Sequence, residues 1–188
     1  MVTKKSLSAL KMAYISLGAV LIALCSWISV PATVPFTLQT FAVLLVCDLL
    51  GARMGLVSVL LYLLLGAVGF PVFSGFSGGL GHLLGMTGGY ILGFVLSALV
   101  MALMQRLLPR RRVFTLLSMA LGLLACYAAG SVWFMQVYTQ TKGAISLGAV
   151  LSICVVPYLI PDAIKLVLAC LISELAHTMP KKLVAHTG

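Results

Sequence analysis

The chain has 188 residues, 62% hydrophobic and 8% charged, with a net charge of +9 and a mean hydropathy of +1.21. A soluble domain carries roughly 25% charged residues, so these values exclude a water-soluble globular protein and fit one integral membrane domain over residues 1–188. The apolar runs are continuous and lack the alternation of barrel strands, which selects helices. At about 20 residues per crossing, the expected fold is all-α, a polytopic membrane bundle of six spans.

Lys4, Lys5 and Lys11 precede a first span at residues 12–29. No cleavage site precedes the equally apolar chain that follows, so the run reads as a span and not as a signal peptide. Ala19 and Ala23, four apart with Gly18 beside them, form a small-residue face suited to close helix contact, within the chain or with a partner. An uncharged loop, stiffened by Pro31 and Pro35, carries Thr37 and leads through Gln39 into a short second span at 38–50. Asp48 and Arg53 are close enough to pair across the tight turn into a third span at 54–68.

A glycine-rich segment, residues 69–90, follows and contains Gly79, His82, Thr87 and Tyr90. No Walker lysine accompanies these glycines, which excludes a phosphate loop. A fourth span, 86–108, ends in a cluster of Arg106, Arg110, Arg111 and Arg112, read as a topology anchor. The fifth span is 113–136, followed by a polar loop at 137–142 and an apolar stretch, 143–156, of short-helix length. The sixth span is 161–177, and near its end Glu174 and His177, three apart, read as interfacial partners. Five cysteines lie singly in apolar runs with no CxxC or Cys/His cluster, so they read as small packing residues, with no metal site and no cofactor.

Asp162 and Lys165 stand apart because they interrupt an otherwise apolar run. A charge at that depth costs about 3 kcal/mol on insertion scales, so an intramembrane acid and base mark a functional site. Their spacing puts them on one helix face, where they neutralise each other, and Pro161 suits the first turn of the helix that carries them. With three acidic residues in all, no nucleophile beside a base and no metal cluster, the chain is not read as an enzyme.

The basic residues also orient the bundle. Ten of the twelve lysines and arginines fall on the side of the two termini. By the positive-inside rule that side is cytoplasmic, in a plasma membrane. This placement, at helix ends in the lipid bilayer, accounts for the +9 charge without nucleic acid. The Pro31–Thr40 loop, the glycine segment and the approach to Asp162 then gather on the outer face, the composition of a mouth for a small polar molecule.

Three stretches carry a family resemblance over nearly the whole chain: Val34-Pro-Phe-Thr-Leu-Gln-Thr-Phe41, Gly78-Gly79 to Gly88-Gly89-Tyr90-Ile-Leu-Gly93, and Pro161-Asp162-Ala-Ile-Lys165. In order and separation they resemble the BioY family, the substrate-binding S components of energy-coupling factor biotin transporters. The resemblance implies six membrane helices, capture of biotin from outside, and association with a membrane-embedded T component and a pair of ABC-type ATPases. It implies that Asp162 and Lys165 contact biotin, and that Thr37, Gln39, Gly79, Thr87 and Tyr90 line its pocket. It also implies that Ala19 and Ala23 dock the T component. The chain departs from the family where Met86 replaces the usual proline, and His82 is an unusual polar residue that either touches ligand or bonds to loop backbone. Another vitamin S component, for riboflavin or thiamin, and a structural membrane subunit are the alternatives.

Overall fold

The computed structural model describes residues 4–185, with side-chain surroundings for residues 8–178. Lys4, Lys5, Lys181 and Lys182 of the charge count therefore lie outside the residues whose side chains are described. Eight helices are described: α1 (Lys4–Trp27), α2 (Gln39–Leu49), α3 (Gly51–Val68), α4 (Leu80–Leu84), α5 (Gly88–Leu107), α6 (Arg112–Lys142), α7 (Leu147–Cys154) and α8 (Leu159–Ala185). Five segments are long and apolar enough to cross a membrane, and the eleven-residue α2 is a shorter apolar helix.

The short helix α2 lies at the centre. Residues 42–47 are all buried, because α1, α3, α5 and α8 pack around it, as expected of a helix that is apolar all round. Its start is set by Thr37, whose hydroxyl accepts the Gln39 amide at 3.2 Å. The loop before it closes as a two-residue antiparallel ladder, β1 (Ser29–Val30) with β2 (Phe36–Thr37), pairing Ser29 with Thr37. This ladder is the one departure from purely helical structure among the named elements, and it ends α1 at Trp27, two residues before the expected limit.

Several expected boundaries move for physical reasons. The polar stretch 137–142, expected as a loop, is the last turn and a half of α6. Thr139 and Thr141 satisfy their hydroxyls on the carbonyls of Met135 and Val137 at 2.8 Å each, and the helix stops at Gly143, whose φ of 104° few other residues adopt. Helix α8 starts at Leu159, two residues early, because a 3-10 turn at Val156–Tyr158 with Pro157 at its start leads straight into it. It also runs well past residue 177.

Two expected ion pairs are replaced by longer-range ones. Asp48 does not pair with Arg53; it takes Arg110 at 3.4 Å, with Ser173 and Gln105 also donating to its carboxylate. The reason is burial: Asp48 is enclosed at the C-terminal end of α2, where α5, α6 and α8 converge, and a buried carboxylate requires its donors there. Glu174 pairs with Arg112 at 3.4 Å, and His177 contacts Arg110, so these two residues bind the arginine cluster and not each other.

Ala19 and Ala23 lie on the packed side of α1. They are only 2% and 8% exposed, packed within the chain where α1 meets α2 and α3, while Leu17, Val20 and Leu24 occupy the outward side of α1. That small-residue face serves packing within the chain.

Candidate functional site

Helices α2 and α8 run side by side in the same direction. Their N-terminal ends meet at Thr40 and Asp162, and their C-terminal parts meet at Asp48 and Ser173. At the first of these ends a cavity of about 620 Å³, counting its open mouth, lies between the loop before α2, the glycine segment, α5, α6 and α8.

Asp162 and Lys165 form its polar wall. They are 3% and 5% exposed, and the Lys165 ammonium donates to Asp162 Oδ1 at 2.7 Å. It also donates to the Thr37 carbonyl at 2.6 Å and to Thr40 Oγ1 at 3.3 Å, and lies 4.0 Å from the centre of the Phe36 ring. The Thr40 hydroxyl donates to Oδ1 at 3.1 Å and the Tyr127 hydroxyl to Oδ2 at 2.5 Å. A carboxylate offers about four lone-pair sites and an ammonium three donors. The acid thus has one acceptor site to spare, while the base has all three donors placed. Such compensation is required here, since a buried charge without it is strongly unfavourable.

The opposite walls are aromatic and loop-borne. Tyr90, Ile91 and Phe94 of α5 line the cavity together with Cys154 and Tyr158, and the Tyr90 hydroxyl is 3.2 Å from Ser131 Oγ. Tyr158 donates to the Val34 carbonyl, tying the loop before α2 to α8, and its ring stacks near Phe36 at 6.4 Å. The glycine segment is anchored from two sides. Ser26 and Trp27 of α1 donate to the carbonyls of Val72 and Pro71 at 2.5 and 2.8 Å, and Trp133 of α6 donates to Gly85 at 3.0 Å.

Of the expected site residues, Thr37, Gln39, His82, Thr87, Tyr90, Asp162 and Lys165 all line this cavity. Gln39 reaches sideways as well, donating from Nε2 to the Tyr62 hydroxyl at 2.6 Å. The His82 ring stacks on Phe73 at 5.3 Å with Nδ1 3.1 Å from Ser77 Oγ, and burial lowers its pKa below the ordinary value, so it is neutral near pH 7. Gly79 does not line the cavity. Its role is conformational: with φ of 90° it turns the chain into α4, and its N–H donates to the Gly66 carbonyl at 2.7 Å.

The match to the BioY family model covers residues 1–182. The chain belongs to the BioY family. A Thermotoga maritima protein named as a biotin transporter BioY is 43% identical over 157 residues, covering 81% of this chain and 87% of that one. A Pyrococcus horikoshii protein named as a probable biotin transporter BioY is 41% identical over 164 residues, 85% and 93% of the two chains. The fold is similar to a crystal structure of the S-component for biotin from an ECF-type ABC transporter, with a TM-score of 0.82 at 21% identity over 95% of both chains.

Within this BioY chain, sequence reasoning did not single out Thr40, Tyr127, Phe36, Phe94 or Tyr158. Tyr127 carried a usable signal. A tyrosine midway along an apolar helix brings a hydroxyl that needs a partner when buried, and the intramembrane acid at residue 162 is such a partner. Thr40 stands inside the motif that carried the resemblance, one residue from Gln39. The placement of Phe94, Cys126 and Cys154 on the cavity wall had no counterpart in the pattern of an apolar helix.

Proposed function

We propose that this chain captures biotin from the outer side of a cell membrane as the S component of an energy-coupling factor transporter. The observation that carries the reading is the compensated Asp162–Lys165 pair in the wall of a cavity shared with Thr37, Gln39, Tyr90 and Tyr158. Biotin presents a ureido group with two N–H donors and one carbonyl acceptor. The spare acceptor site of Asp162 takes one ureido N–H. The ureido carbonyl takes the Lys165 donor now directed at Thr40, the longest of its three contacts. Both ions therefore remain compensated in the filled pocket as in the empty one. Tyr90, Phe94 and Tyr158 supply the apolar surface for the sulfur-containing ring.

The partners follow from the same reading: a membrane-embedded T component and a pair of ABC-type ATPases move the captured vitamin inward. The charge asymmetry supports cytoplasmic termini, and with them an outward mouth for the pocket.

The test is titration calorimetry on the detergent-purified chain with biotin, riboflavin and thiamin in parallel. Tight binding of biotin alone, abolished by Asp162→Asn with Lys165→Ala, is expected. Binding of another vitamin, or biotin binding indifferent to both substitutions, overturns the assignment.

A further inference from the structure

A second cavity lies at the opposite end of the bundle, between the C-terminal ends of α2 and α5 and the start of α6. It encloses about 530 Å³ including its opening, and is lined by Asp48, Gln105, Arg110, Thr115 and Ser118 among others. Ser118 is 4% exposed, and its hydroxyl is buried without a hydrogen-bond partner among the described residues. An unmet buried hydroxyl costs about 1–3 kcal/mol, which makes it a donor in search of an acceptor.

The remaining groups identify the acceptor. The cavity opens beside the first turn of α6, a 31-residue helix whose N-cap, Arg111, provides no side-chain cap, so the positive end of the helix is uncovered. Arg110 uses only Nη2 among its described contacts, toward Asp48 and His177. Its Nη1 and Nε donors remain. Asp48 would repel an anion if bare, but its carboxylate is already met by Arg110, Gln105 and Ser173. Arg106 and Arg111, adjacent in sequence to the lining residues Gln105 and Arg110, are exposed and have no ion pair among the described residues, which adds positive charge at this end of the bundle. Hydroxyl and guanidinium donors at an uncapped helix start are complementary to a tetrahedral oxyanion.

We propose that this cavity binds a phosphate group, carried by a membrane lipid headgroup or present as the free anion. Its position at the arginine-bearing end of the bundle is the depth at which lipid phosphates lie.

Native mass spectrometry of the full chain distinguishes the sources. The chain is released from micelles doped with phosphatidylglycerol, and separately from lipid-free detergent containing inorganic phosphate. The wild type is expected to retain one phosphatidylglycerol, with retention about tenfold lower in Ser118→Leu, which fills the cavity, as follows from losing one charge-assisted contact. Ser118→Ala combined with Thr115→Val removes the donors without adding bulk and should lower retention several-fold even if the leucine variant folds poorly. Unchanged biotin affinity in these variants certifies the fold. Phosphate adducts without lipid retention, lost in the same variants, assign the site to the free anion. Equal retention by wild type and both variants, with no phosphate adduct, overturns the proposal.

Discussion

Lys165→Met tests whether the buried pair is held by charge compensation. The substitution keeps most of the side-chain volume but leaves Asp162 with two hydroxyl donors, Thr40 and Tyr127, in place of an ammonium at 2.7 Å. The gross attraction lost at that distance is about 6 kcal/mol at an effective dielectric of about 20. Part of this is offset because the lysine no longer has to be desolvated, and removing one partner of a buried pair costs about 3–5 kcal/mol net. With both hydroxyls retained, the loss should fall at the lower end. Biotin binding loses one charge-assisted hydrogen bond, about 1.5–3 kcal/mol, or roughly 10- to 150-fold in Kd. Pairing Lys165→Met with Asp162→Asn removes both charges. The double variant should recover most of the lost stability without recovering biotin affinity, a coupling readable in a double-mutant cycle. Stability comes from denaturant titration in detergent and affinity from calorimetry. A double variant no more stable than Lys165→Met alone would refute the reasoning, as would a single variant within about 1 kcal/mol of wild type.

Three further outcomes follow from the same geometry. Tyr127→Phe removes the 2.5 Å donor to Asp162 at nearly constant volume, and should weaken biotin about tenfold in calorimetry while the chain still folds. Gly66→Ala drives a methyl group into the fully buried Phe73 ring; overpacking of this kind costs about 1–3 kcal/mol, seen as a lower thermal midpoint, and an unchanged midpoint would contradict the packing described. For His82, burial lowers the folded pKa, so the unfolded chain takes up its proton first. The stability this residue contributes is present above about pH 6.5 and is lost as pH falls below it. The melting curves of wild type and His82→Asn should diverge over that window, the wild type losing more.

The legible part of the site was the part that violates the local rule. An acid and a base inside an apolar run are conspicuous in the sequence, and the structure places both in the cavity wall. Hydroxyls are not conspicuous in the same way: Thr40 and Tyr127 become significant only when Asp162, 122 and 35 residues away, is brought to them. Asp48 shows the same limit. Its neighbour in sequence, Arg53, looked like the partner, yet the group that reaches it, Arg110, is 62 residues distant. Helix faces were harder still. In lipid both the packed and the lipid-facing sides of α1 are apolar, so periodicity cannot say which side turns inward. The small residues Ala19 and Ala23 mark close approach correctly, but the approach is to the chain's own helices.

The two buried acids lie at opposite ends of one helix pair, and this explains why so hydrophobic a chain retains them. Between α2 and α8 the facing surfaces are apolar, and in a bilayer such surfaces gain little by choosing each other over lipid, since lipid tails are equally apolar. Dispersion alone leaves sliding by a turn inexpensive. A carboxylate that must meet its donors does not slide: Asp162 on α8 meets Thr40 of α2 at one end, and Asp48 on α2 meets Ser173 of α8 at the other. The acid is contributed by a different helix at each end, so a shift in either direction strands both charges at once. The register of α2 against α8 is thereby fixed from both ends. That register is what holds Thr37 and Thr40 against Asp162 and Lys165 in the polar wall of the pocket.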